Sequence, residues 1–92
     1  MKGKDLVQNH PVRILVIDDE PQIRRFLRTS LSAHGYQVIE AARGQDAMVL
    51  VTTERPDVVM LDLGLPDMDG LEVISRVREW SNMPIIVLSV RG

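Results

Sequence analysis

Ile14-Leu15-Val16-Ile17-Asp18-Asp19-Glu20-Pro21 is the stretch on which the fold turns. Four consecutive apolar residues, mostly β-branched, stop abruptly at two aspartates and a glutamate. A run that is continuous rather than alternating suits a strand buried on both faces of a parallel sheet. Pro21 fits the first turn of a helix, where its missing N–H leaves no bond unmade. Beyond it Ile23, Phe26, Leu27, Ser30 and Leu31 recur at helical spacing, with Arg24, Arg25 and Arg28 on the other side. Gly35 is a natural stop for that helix. The segment reads as strand, acidic turn, helix.

The alternation of strand and helix continues along the chain, with no internal sequence repeat. Tyr36 to Ala41 reads as a second, more polar strand, of the kind found at a sheet edge. Arg43 to Glu54 reads as a helix with Ala47, Leu50 and Val51 inward, closed before Pro56. Val58-Val59-Met60-Leu61 is a third strand, again ended by an aspartate, Asp62. After the loop 63–68, Asp69 is placed to cap a helix, with Glu72 three residues on as in a capping box. Leu71, Ile74 and Val77 supply that helix's apolar stripe, to about Trp80. Pro84 to Leu88 is a fourth strand, followed by Ser89. Upstream, Met1 to Pro11 shows no hydrophobic period and reads as a flexible leader. The order β-α-β-α-β-α-β predicts an α/β fold, a doubly wound parallel sheet with right-handed crossovers. Ligands of such sheets sit beyond the carboxyl ends of the strands, where the strand order reverses.

Composition agrees with one small domain. The chain has 92 residues, 45% hydrophobic and 26% charged, with a mean hydropathy of −0.01. Eleven basic against thirteen acidic residues leave a net charge of −2. This lacks the basic excess of a segment that grips nucleic acid through phosphates. With no cysteine there is no disulfide, thiolate metal site or cysteine nucleophile. Apolar runs of at most five residues are far too short to span a membrane. Polar residues stand where a signal peptide would be apolar, so the chain reads as cytoplasmic.

The chemistry concentrates at the strand ends. Asp18 and Asp19 follow the first strand and Asp62 follows the third; if those strands are neighbours, three carboxylates converge. Their repulsion calls for a cation, and an open, oxygen-only site suits Mg²⁺. An aspartate beside such an ion can attack a phosphoryl group. Ser89 adds a hydroxyl to the same rim. Each aspartate taken singly could equally be a turn former or a helix cap. Gly64, Pro66 and Gly70 read as turn residues, and the arginines of the first helix as a solvated face.

At these residues the chain resembles the receiver domain of bacterial two-component response regulators, a flavodoxin-like fold. The matching pieces are Ile14 to Glu20, Pro56 to Asp62, Leu65 to Gly70 and Pro84 to Ser89. Ile23 to Leu31, Leu61 to Gly70 and Arg78 to Ser81 are similar, more narrowly, to the potassium-transport (Kdp-type) regulators of the OmpR or winged-helix subfamily. The resemblance implies Asp62 as phosphoacceptor for a sensor histidine kinase. It implies Mg²⁺ bound by Asp19 directly, Asp18 largely through water, Asp62 and the Gly64 backbone carbonyl. Ser89 would turn its hydroxyl to the phosphoryl group, and backbone N–H groups after Asp62 and around Ser89 to Val90 would hold its oxygens. Such a module is modified stoichiometrically and is not a turnover enzyme.

The departures matter as much. The resemblance implies five strands and five helices, so residues 12–92 are expected to form a receiver truncated after the fourth strand. The lysine that pairs with the phosphoryl group, the fourth and fifth helices, the fifth strand and the DNA-binding domain have no counterpart. The third and fourth strands would then lie bare on one face, inviting self-association through the fourth-strand edge. An inactive remnant acting only as an interaction or dimerisation fragment is the alternative function. A haloacid-dehalogenase-type phosphatase is disfavoured because Gly64 stands where its second aspartate would be, and no P-loop pattern occurs.

Overall fold

The computed structural model describes residues 10–79 and 81–88. Seven elements alternate along it: β1 (Arg13–Ile17), α1 (Pro21–Ala33), β2 (Gln37–Ala41), α2 (Gly44–Glu54), β3 (Val58–Leu61), α3 (Gly70–Arg78) and β4 (Ile85–Val87). The strands form one parallel sheet in the order β2-β1-β3-β4. The chain steps outward from β1 to β2, then returns across β1 to β3. The order therefore reverses beside β1, and the β1 and β3 carboxyl ends lie side by side. Most of the expected leader, residues 1–9, lies outside the described residues.

Each turn of the chain has a local cause. The end of α1 is a Schellman motif: Tyr36 N–H bonds the Leu31 carbonyl at 3.1 Å and Gly35 N–H the Ser32 carbonyl at 3.0 Å. Gly35 takes the left-handed conformation this requires, φ 89°. The Asp69 carboxylate accepts from Leu71 N–H at 2.9 Å and caps α3, as the sequence predicts. Glu72 does not complete a capping box; its carboxylate pairs with Arg76 one turn on, at 3.0 Å.

The core lies on one face of the sheet. Leu15, Ile17, Val59 and Leu61 point there, against Ala47 and Val51 of α2 and Val73 and Val77 of α3, all at most 1% exposed. On the other face α1 packs over β1 and β2. It buries Ile14 and Val16 of the sheet, yet none of its own residues is fully buried. Three expectations are corrected here. Phe26, at the apolar helical spacing of α1, is 65% exposed, and Leu71, on the apolar stripe of α3, is 64% exposed. Ile23 is exposed as well. Periodicity finds the helix, but whether a stripe is buried depends on what the sheet offers opposite it. The arginines of α1 are not simply a solvated face: Arg24 and Arg28 both pair with Glu40 of β2.

Candidate functional site

The sheet ladder brings the aspartates together. Asp62 N–H donates to the Ile17 carbonyl at 2.9 Å, and Asp18 N–H to the Ala41 carbonyl at 3.0 Å. Each bond extends a parallel pairing by one residue, so Asp18 and Asp62 stand on neighbouring strand ends. One carboxylate oxygen from each of Asp18, Asp19 and Asp62 lies within 4.8 Å of the others. Asp18 and Asp62 are buried, at 4% and 2% exposure, while Asp19 is exposed.

The two buried aspartates are held alike. Asp18 Oδ1 accepts from Glu20 N–H and Asp62 Oδ1 from Gly64 N–H, each two residues on and each at 2.9 Å. Each therefore closes a short side-chain turn that fixes its carboxylate. Burial pushes the Asp18 carboxyl above its usual value; the Glu20 N–H opposes this, and the charges of Asp62, Asp19 and Glu20 add to the rise. Among the described residues no ion pair reaches any of the three. Two buried carboxylates and a third at the rim, without a basic partner, are a donor set for a hard divalent cation. Oxygen ligands open to water on one side suit Mg²⁺.

The loop after Asp62 is fastened at two points, Asp67, to which the sequence reading gave no role, and Gly70, which it left as a turn residue. The Asp67 carboxylate accepts from Gly44 N–H at 2.9 Å and Gln45 N–H at 3.0 Å, and so caps α2 across 23 positions of chain. Those two bonds, Gln45 first, hold its pKa below the usual value. Gly44 is buried under Met68, whose Sδ would lie 2.6 Å from an added Cβ. Gly70 is more than a turn residue: a Cβ there would come within 2.6 Å of the Leu63 backbone. Gly64 is different, because its Cβ would meet only Asp62 Oδ1, at an ordinary 3.5 Å. No local sequence pattern marks the Asp67 contact, since its partners are distant in the chain. The expected Ser89 and Val90 lie outside the described residues; Leu88 N–H bonds the Leu61 carbonyl at 2.8 Å, beside the start of the Asp62 loop.

Comparison with known proteins gives a consistent answer. The family model described as the response regulator receiver domain matches residues 14–92. The transcriptional regulatory protein KdpE of Mycobacterium tuberculosis is 55% identical over 78 residues, 85% of this chain and 34% of that protein. The KDP operon transcriptional regulatory protein KdpE of Escherichia coli is 50% identical over 86% of this chain and 35% of its own length. The chain thus spans about a third of these curated relatives. Among solved structures, the chemotaxis response regulator CheY4 of Vibrio cholerae superposes with a TM-score of 0.85 at 32% identity, covering 89% of this chain and 71% of that one. A structure of histidine kinase ThkA in complex with response regulator TrrA matches with a TM-score of 0.81 at 36% identity, over 88% of this chain and 71% of that one. A receiver domain is not a turnover enzyme, which fits a site built of acceptors. The flavodoxin-like parallel sheet, its acidic switch point and the match along nearly its whole length agree: this chain belongs to the response regulator receiver domain family.

Proposed function

We propose that this chain is the phosphoacceptor module of a two-component system, taking a phosphoryl group on Asp62 from a sensor histidine kinase. The observation that carries the reading is the trio of carboxylates within 4.8 Å, two of them buried and none paired with a basic side chain among the described residues. Asp18, Asp19, Asp62 and the Gly64 carbonyl would hold Mg²⁺, with Ser89 contributing its hydroxyl to the phosphoryl group. The ion's contribution when bound is to offset charge on the transferring oxygens. Gly64 N–H holds Asp62 Oδ1 and so fixes the orientation of the carboxylate that would attack. An O–P bond would form at an Asp62 carboxylate oxygen as the P–N bond of the phosphohistidine breaks, and the electron pair would leave with the imidazole. The exposed Ile23 and Phe26, on the first two turns of α1 beyond Asp19, offer an apolar ridge on which a kinase could seat beside the site.

By likeness to the KdpE proteins the module would belong to a cytoplasmic transcriptional regulator of potassium transport genes. Among the described residues no helix is long and apolar enough to cross a membrane. The test is intact-mass analysis after incubation with Mg²⁺ and acetyl phosphate. A single phosphoryl adduct is expected, absent in Asp62→Asn and after chelation; a folded wild type with no adduct would overturn the reading. The second reading, an interaction module that self-associates through β4, is favoured by the exposure of Ile86 and Val87 on that edge strand.

A further inference from the structure

We propose that Arg24 is a positioning residue for the acidic turn after β1, and that Mg²⁺ affinity depends on it. The inference rests on the metal reading above and goes beyond it to a residue that lies outside the aspartate cluster. Three hydrogen bonds hold Asp18. Its N–H is fixed by the Ala41 carbonyl and its Oδ1 by Glu20 N–H, both backbone groups. The third comes from a side chain: Arg24 Nη1 donates to the Asp18 carbonyl oxygen at 2.8 Å. That carbonyl belongs to the peptide joining Asp18 to Asp19. The bond therefore sets the plane of this peptide, and with it the direction in which the exposed Asp19 leaves the strand.

Arg24 is itself held. Its Nε lies 3.3 Å from Glu40 Oε1 on β2, while Glu40 Oε2 takes Arg28. Arg24 and Glu40 are only 20% and 24% exposed, against 48% for Arg28. Because α1 buries no residue completely, these polar anchors do much to fix the helix against the sheet. Arg28 shares the Glu40 anchor but does not reach the turn, so it is a built-in control. Groups that orient a metal ligand typically change affinity about 10- to 100-fold when removed.

Two roles for Arg24 predict opposite signs. A guanidinium acting only through its charge would repel a cation, and its loss would tighten Mg²⁺ binding. A guanidinium that orients the turn would, when lost, weaken it. The experiment is Mg²⁺ titration of the chain, read by calorimetry and by amide shifts at Asp18, Asp19 and Asp62. Wild type, Arg24→Ala, Arg24→Lys, Arg28→Ala and Asp19→Asn are compared, each checked for folding by circular dichroism. Arg24→Ala is expected to weaken binding about tenfold. Arg24→Lys should fall between it and wild type, because one ammonium cannot span the carbonyl and Glu40 as the guanidinium does. Arg28→Ala should stay within about twofold of wild type, as for an exposed ion pair.

Unchanged or tighter binding by Arg24→Ala overturns the proposal, and so does an equal loss in Arg28→Ala. If Arg24→Ala does not fold, Arg24→Lys decides, and wild-type affinity in that variant overturns the proposal. A wild type that binds no Mg²⁺, or binds it as well in Asp19→Asn, removes the metal reading and the proposal together. Wild-type binding lost in Asp19→Asn but retained in Arg24→Ala removes the positioning role alone.

Discussion

The two faces of the sheet are built from similarly apolar strands and end in different states. Val59 and Leu61 are fully buried beneath α2 and α3, while their alternates on the same strand, Val58 and Met60, are only half-buried. Ile86, the register partner of Met60, is 49% exposed. Among the described residues two helices seal one face, while a single helix, set over β1 and β2, leaves the other open toward β3 and β4. Strand hydrophobicity alone therefore does not say where stability resides. It resides where helices cover both neighbours, and the uncovered half is surface available for contact.

The contrast is sharpest in paired core truncations. Leu61→Ala should cost about 2–5 kcal/mol, whereas Met60→Ala, one residue away on the open face, should cost about 1 kcal/mol or less. Urea unfolding of both variants checks this, and equal losses would mean that the open face is covered in solution.

A smaller effect tests the loop that closes the packed face. Asp67 holds the start of α2 with a pKa below its usual value. The unfolded state therefore takes up its proton first as pH falls, and the clamp's stabilisation is present near neutrality and lost below about pH 4. Asp67→Asn should melt lower than wild type at neutral pH, and the difference should shrink on acidification. Asp18, with its raised pKa, acts in the opposite sense in both proteins and cancels in that difference. Melting curves across the range measure it; a constant gap would break the assignment.

The smallest stability change belongs to the edge. Ile86→Lys should leave stability within about 0.5 kcal/mol while placing a charge on the open face beside the β4 edge, which opposes strand-to-strand pairing. Sedimentation velocity should show less self-association than wild type. A wild type that is monomeric at the same concentration would show that the edge does not drive association.

Much of the architecture was legible in the residue order. Short β-branched runs ended by aspartates locate β1 and β3 nearly to the residue, and the switch-point rule points to their carboxyl ends. That Asp18, Asp19 and Asp62 converge depended on β1 and β3 being neighbours, which the sheet order supplies. What stayed hidden shares one physical character: it depends on partners distant in sequence. The Asp67 cap spans chain that no helical or strand period links, so an aspartate in a loop looks like any turn former. Phe26 and Leu71 follow apolar spacing, yet spacing carries no information about whether a covering element lies opposite. Arg24 sits in a run of arginines that reads as solvated because Glu40, its partner, belongs to a different element, the strand β2.

Gly44, Asp67 and Gly70 bear a practical consequence for anyone redesigning this module. The chain between Asp62 and α3 behaves as a strap with two buckles, Asp67 and Met68 fastened over Gly44 of α2 and Leu63 packed against Gly70. Exposed positions between the buckles, such as Pro66, can be randomised to alter which partner the loop meets. The buckles themselves should be held constant, since a single methyl at either glycine would shift the strap and with it the carbonyls and N–H groups beside Asp62.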